Sequence, residues 1–204
     1  MDKNKIYFEK TKHKKVNKHT RHFYDSFIPK IGMVIDLGCG TGCDTEFFLR
    51  HGFWVLSIDS DIRAESFIKN RISDSPDLFE LFKFENQRYE TLKLEKNSAN
   101  IVIAHNSLAY CQKENFYSMW YTIKQSIVKN GYFVGNFFGL DHSYKRNSNY
   151  TNGTFLCEKE VFELFSDDFE LLEFNNPLPQ KKKTAFDDQT LWHEYLVIAK
   201  KVSE

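Results

Sequence analysis

Short runs of β-branched and aromatic residues alternate along this chain with stretches whose apolar positions recur at helical spacing. That alternation predicts an α/β sheet with helices on both faces. Val16, Phe23, Tyr24, Phe27 and Ile28 fit one face of a first helix. Met33 to Leu37 is a short apolar run ending in glycines, the pattern of a buried strand. Thr41 can cap the next helix, which carries Phe47, Phe48 and Leu49 and closes at Gly52. Phe53 to Ile58 reads as a second strand, and Ala64, Phe67, Ile68 and Ile72 space as an amphipathic helix.

The second half continues the pattern. Phe79 to Phe84 is a weaker third strand and Asn100 to His105 a fourth. Phe116, Trp120, Ile123 and Ile127 line a helix that should stop at Asn130-Gly131, followed by a fifth strand from Gly131 to Phe138. A polar stretch from Asp141 to Asn152 precedes a short helix around Val161 to Phe165. Phe169 to Phe174 and Trp192 to Ala199 have no helical pattern between them, so they should pair antiparallel. Lys181 to Lys183 then fall in a solvated turn. The sum is a seven-stranded mixed sheet in a single domain spanning 1–204, with no internal repeat or linker.

Composition narrows the partners. Lys plus Arg (28) equals Asp plus Glu (28), which removes the global electrostatic argument for nucleic acid. The 20 Phe and 10 Tyr argue against disorder. No apolar run reaches the roughly 20 residues that span a bilayer, and no secretory pattern is seen, so the expected location is cytoplasmic. Cys39, Cys43, Cys111 and Cys157 are too scattered for a disulfide framework and lack the partners of a zinc set, so no metal is expected.

Asp36-Leu37-Gly38-Cys39-Gly40-Thr41-Gly42 links the first strand to a helix. Glycines belong in such a turn because it is tight and a ligand must approach the backbone without a Cβ in the way. The dinucleotide fingerprint counted from Gly38 requires its third glycine at position 43, which is Cys43. Asp59 ends the second strand about 20 residues on, where a carboxylate can accept hydrogen bonds from both ribose hydroxyls. That position suits NAD and S-adenosylmethionine equally.

The segments IYFEKTK (6–12), VIDLGCGTGCDTEFFLRHGFWVLSIDSD (34–61), RYETL (88–92), NSANIVIAHNSLAYC (97–111) and NGYFVGNFFG (130–139) resemble, in order, class I S-adenosylmethionine-dependent methyltransferases. With LWHEYLVIAKK (191–201), the chain is most similar to the compact bacterial tellurite-resistance-type methyltransferases. The resemblance implies a Rossmann-like fold and methyl transfer from S-adenosylmethionine, leaving S-adenosylhomocysteine. It implies that Asp36 faces the methionine ammonium, that Gly38 and Gly40 lie under the amino-acid part and that Asp59 holds the ribose. The acid that usually bonds adenine is replaced by Arg88, with Tyr89 supplying a backbone N–H and Glu85 or Glu90 as substitute acids. Asn100 stands where many relatives carry Asp.

The candidate cofactor set is therefore Asp36, Gly38, Cys39, Gly40, Gly42, Asp59, Tyr89 and His105, with Tyr7, Asn106 and His193 as substrate candidates. No catalytic triad is evident. His105-Asn106-Ser107-Leu108 is not the Asn-Pro-Pro-Tyr type of motif of base-modifying amino-methyltransferases. Residues 1–22 carry eight Lys or Arg, two acids and three histidines, a net +6 besides the histidines. That composition fits a lid within residues 1–30, a solvated face or an anion-attracting patch. The expected acceptor is a small molecule, since no inserted domain grips a macromolecule. The rival readings are an NAD-type oxidoreductase and a non-catalytic S-adenosylmethionine-binding protein.

Overall fold

The structure is a computed structural model that describes residues 2–27, 29–146, 152–184 and 189–203. Helices α1 (Lys3–Thr11) and α2 (Lys18–Phe27) precede β1 (Met33–Leu37), α3 (Cys43–Arg50), β2 (Trp54–Asp59) and α4 (Arg63–Arg71). Then come β3 (Phe82–Asn86), β4 (Ala99–Ala104), α5 (Lys113–Ser126), β5 (Ile127–Phe138) and α6 (Glu158–Phe165). The chain closes with β6 (Phe169–Asn175), β7 (Gln180–Lys183), β8 (Gln189–Trp192) and β9 (Glu194–Lys201).

Seven strands form one sheet in the order β3-β2-β1-β4-β5-β9-β6. The first five run parallel, and β9 is antiparallel to both β5 and β6. One face is covered by Phe116, Trp120 and Ile123 of α5 with Val161 and Phe165 of α6. The other packs Phe23 of α2 and Phe47, Phe48 and Leu49 of α3 onto Val34, Ile101 and Val134. The mixed seven-stranded sheet with helices on both faces is the expected architecture. Among the described residues no helix is long and apolar enough to cross a membrane.

Five local expectations are corrected. The N-terminal stretch holds two helices, α1 being nucleated by Asp2, whose carboxylate accepts the N–H groups of Asn4 and Lys5. Ile28, assigned to the next helix, lies outside the described residues, as do residues 147–151 of the polar stretch. The third strand begins at Phe82 rather than Phe79, because Pro76 starts a 3-10 turn over Pro76–Leu81. Thr41 does not cap α3: Gly42, left-handed at φ +75°, occupies that position, and the Thr41 hydroxyl donates to the Thr11 carbonyl.

The helix expected to run to Asn130 ends at Ser126, and Ile127 opens β5. The buried Lys201 ammonium donates to the carbonyls of Lys124 and Ile127 at 2.9 Å each, satisfying groups at the helix end. Asn130, at φ +64°, then makes an irregularity inside the strand instead of a helix stop. Lys181 to Lys183 are exposed but form β7, paired antiparallel with β8, so they are a strand and not a turn. Asn100 keeps a structural bond, its Oδ1 accepting the Met33 N–H at 2.9 Å.

Candidate active site

The turn between β1 and α3 is fixed by its own backbone. Gly38 and Cys39 donate their N–H groups to the Ile58 carbonyl at 2.8 and 3.2 Å, tying the turn to the end of β2. Gly38 adopts φ +69°, and a Cβ there would stand 2.3 Å from Ser107 Cβ. Any side chain would force strand-end residues apart. Gly40 donates its N–H to Asp59 Oδ2 at 2.9 Å, and Asp61 donates to Oδ1 at 2.9 Å. The glycine turn and the acid after β2 are thus one hydrogen-bonded unit.

Two carboxyls in this unit are displaced upward from their ordinary range. Burial raises Asp36, aided by the nearby Asp44 charge and opposed by the Thr45 hydroxyl, which donates to Asp36 Oδ2 at 2.6 Å. Burial likewise raises Asp59, against the two backbone N–H bonds that favour its charge. Burial also pushes the Cys39 thiol well up, so it is a neutral, packed group rather than a nucleophile.

The N-terminal segment lies against this turn. Phe8 is buried and stacks on Phe67 of α4 at 5.0 Å. Tyr7 is 37 % exposed, yet its hydroxyl sits 3.3 Å from where a Gly40 Cβ would be, and burial of that end pushes the phenol up to about 12. Arg71 of α4 joins the two regions, donating to the carbonyls of Thr41 in the turn and Lys14 after α1 while pairing with Glu46 at 2.8 Å.

Beyond β3 the outcome is mixed. Arg88 is exposed and pairs with Glu90 at 3.9 Å, while Glu85 is held by Lys83 and by Gln87 Nε2. Tyr89, whose backbone N–H was the expected donor, directs its ring inward against the core, with its hydroxyl beside Gly38 and Ser107.

A second polar group collects at the carboxyl ends of β4 and β5. His105 Nε2 lies 3.0 Å from Thr20 Oγ1 of α2, and its ring meets that of His19 edge-on at 5.3 Å. Burial drives both imidazoles down to about 3, so both are neutral at pH 7. Asn106, left-handed at φ +54°, exchanges two hydrogen bonds with Asn136, its N–H at 2.6 Å and its Oδ1 at 2.8 Å. Asn136 Nδ2 also donates to Glu194, whose other oxygen accepts from Lys182 at 3.1 Å. His193 stands apart at the Gly139 turn, where its Nδ1 accepts the Asp141 N–H at 3.2 Å.

The structure therefore brings Asp36, Gly38, Cys39, Gly40, Gly42, Asp59, Tyr7 and Tyr89 around one turn, and His105 with Asn106 beside it. His19, Thr20, Asn136, Glu194 and Lys182 were missed, because each is an isolated polar residue with no local motif. Only the pairing of β5 with β9 carries Glu194 to Asn136. A surface cleft of about 570 Å³ bounded by Leu140, Phe155, Cys157 and Glu160 contains none of the predicted site residues.

The turn and the fold have counterparts among known proteins. Residues 34–131, just under half of the chain, match the family model described as a methyltransferase domain. Over those residues the chain is similar to methyltransferase domains. Solved structures show the same fold at low identity. TehB from Haemophilus influenzae superposes with a TM-score of 0.73 and 18 % identity, covering 97 % of this chain and 67 % of that one. The N-methyltransferase NodS from Bradyrhizobium japonicum, in complex with S-adenosylhomocysteine, gives 0.68 and 13 %, covering 98 % and 99 %. The 1,6-didemethyltoxoflavin-N1-methyltransferase of Burkholderia thailandensis gives 0.67 and 16 %, covering 91 % and 77 %. No curated protein sequence matches the chain. The fold is the one shared by these S-adenosylmethionine-dependent methyltransferase structures.

Proposed function

We propose that this protein is a class I methyltransferase that moves the methyl group of S-adenosylmethionine to a small-molecule acceptor at the carboxyl ends of β4 and β5. The observation that carries the reading is the hydrogen-bonded unit of the glycine turn with Asp36 and Asp59. Its chemistry fits the cofactor. Asp36 is a buried acid pushed up by burial and by another acid, so a cationic ligand would stabilise its charged form. Asp59 presents a strand-end carboxylate suited to vicinal hydroxyls, and Gly38, Cys39, Gly40 and Gly42 leave backbone open to close approach. The bound cofactor would supply an electrophilic methyl group.

The protein's part is positioning and exclusion of water. His105 and Asn106 stand on the acceptor side of the turn, fixed by Thr20 and Asn136. Tyr7 and Phe8 would close the site from above, making residues 1–30 a lid within a single domain. Among the described residues the additions to the seven-stranded sheet and its helices are small, the β7–β8 pair between β6 and β9 being one, which supports a small acceptor over nucleic acid. His193 keeps a place among the acceptor candidates only as support for the Gly139 turn.

The test is calorimetry and thermal melting with S-adenosylhomocysteine, on wild type and Asp59→Ala. Wild type should bind and melt higher, because a ligand of the native state stabilises it by mass action. Asp59→Ala should lose about 1.5–3 kcal/mol of that binding. A melt moved by NAD and not by S-adenosylhomocysteine would overturn the reading. Transfer of labelled methyl groups to a panel of phenols, amines and thiols then reads the acceptor class.

A further inference from the structure

Tyr89 opens the 3-10 turn Tyr89–Thr91 that follows β3. Its ring packs against the core beneath the glycine turn, a role that phenylalanine would fill as well. The hydroxyl is another matter. It is buried with no partner in hydrogen-bonding geometry among the described residues, has Ser107 as its nearest polar side chain, and stands 3.0 Å from where a Gly38 Cβ would be. Around it are Ser107, Asp59, Asp36 and Cys39. Its polar neighbours already hold other bonds: Ser107 Oγ donates to the Leu37 carbonyl at 2.8 Å, Asp36 Oδ2 accepts from Thr45, and each Asp59 oxygen accepts one backbone N–H. A buried hydroxyl left unpaired costs stability, and such groups in a folded protein call for a ligand or a functional explanation.

We propose that the Tyr89 hydroxyl donates a hydrogen bond to the bound cofactor, making this side chain a binding residue at the floor of the glycine turn. The inference rests on the reading of the turn as the S-adenosylmethionine site. Burial holds the phenol well above its ordinary pKa, so it stays protonated and available as a donor throughout the neutral range. A donor also complements a cradle whose side chains, Asp36 and Asp59, are acceptors. Its partner is a lone pair on oxygen or nitrogen of the cofactor, in either the nucleoside half or the amino-acid half.

Tyr89→Phe separates this role from packing, because the ring remains. The unliganded variant should melt at the wild-type temperature or above, since an unpaired polar atom is removed. Its affinity for S-adenosylhomocysteine, by calorimetry, should fall about three- to tenfold. 5′-Methylthioadenosine, which lacks the amino-acid half, locates the partner. An equal loss with it assigns the bond to the nucleoside, and no loss assigns it to the amino-acid half. Unchanged or tighter S-adenosylhomocysteine binding by Tyr89→Phe overturns the inference while leaving the cofactor site standing. A melting temperature that falls together with affinity assigns the hydroxyl a structural role and also overturns it. Absence of S-adenosylhomocysteine binding by wild type removes the site itself, and this inference with it.

Discussion

The two polar groups at the carboxyl edge of the sheet are built in opposite ways. Around the glycine turn, residues 36 to 61 supply nearly every contact, and the bonds run largely from backbone N–H groups to Asp59. Around Asn106, the partners come from positions 19, 20, 136, 182 and 194, and the bonds run between side chains. The first group is a local fold of the chain, and the family model over residues 34–131 contains it whole. The second is assembled from four separate elements and a hairpin, most of them outside that match. On the proposed function, the cofactor would be held by a local, backbone-defined cradle, and the acceptor by side chains that can change one at a time.

This contrast predicts which substitutions reach the cofactor. Gly38→Ala should have the largest effect. It adds a Cβ at φ +69° that would lie 2.3 Å from Ser107 Cβ. Relief requires the turn to shift, and S-adenosylhomocysteine affinity should fall by at least about 3 kcal/mol, roughly a hundredfold. Calorimetry showing near-normal affinity would mean that the turn is not the rigid half of the pair.

Glu194→Ala attacks the other half. It leaves one N–H of the buried Asn136 amide without its acceptor and removes the ion pair of the half-exposed Lys182. Stability should fall by about 1–3 kcal/mol in a denaturant titration, with S-adenosylhomocysteine affinity within about twofold of wild type. If affinity fell as far as in Asp59→Ala, the two groups would be one site and the comparison would fail.

The smallest effect concerns pH and His19. Its imidazole is lowered from 6.5 to about 3, first by burial and then by His105. The unfolded chain therefore takes up a proton near pH 6.5 that the folded chain refuses until about pH 3. The unfolded state binds more protons in that window, so this contribution to stability falls as pH falls. Between pH 6.5 and 5 the cost from His19 is roughly 2 kcal/mol, at about 1.4 per pH unit. His19→Phe should lose correspondingly less stability over that range in parallel denaturant titrations. Identical slopes for variant and wild type would show that His19 protonates freely and is not the buried neutral group described here.

How much of this was legible in the sequence follows from the range of each interaction. The strands from Met33 and Phe53 and the helix closed by Gly52 were readable because burial on a sheet and helical periodicity are local patterns. The end of α5 was not readable. Asn130-Gly131 looks like a stop, but Lys201, seventy residues later, takes the carbonyls at Lys124 and Ile127 and ends the helix earlier. Lys181 to Lys183 looked like a solvated turn for a similar reason, since their pairing with Thr190 and Leu191 lies across a connection that composition does not describe. Tyr89 was expected to offer its backbone N–H in the loop after the third strand, and the position of its ring beneath the glycine turn was not readable, because only packing shows where an aromatic ring points.

The sequence by itself determined the cradle. Positive φ at Gly38, Gly40 and Gly42 is a property of residues without a Cβ, and the spacing from Gly40 to Asp59 is one helix and one strand of chain. Only the tertiary structure decided the neighbouring group. Antiparallel register sets Asn136 opposite Leu196 and Phe138 opposite Glu194, and that register alone brings the Glu194 carboxylate to the Asn136 amide. Docking of α2 adds His19 and Thr20 to His105. Those contacts depend on strand pairing and helix packing summed over the whole core, and no short stretch of sequence contains that information.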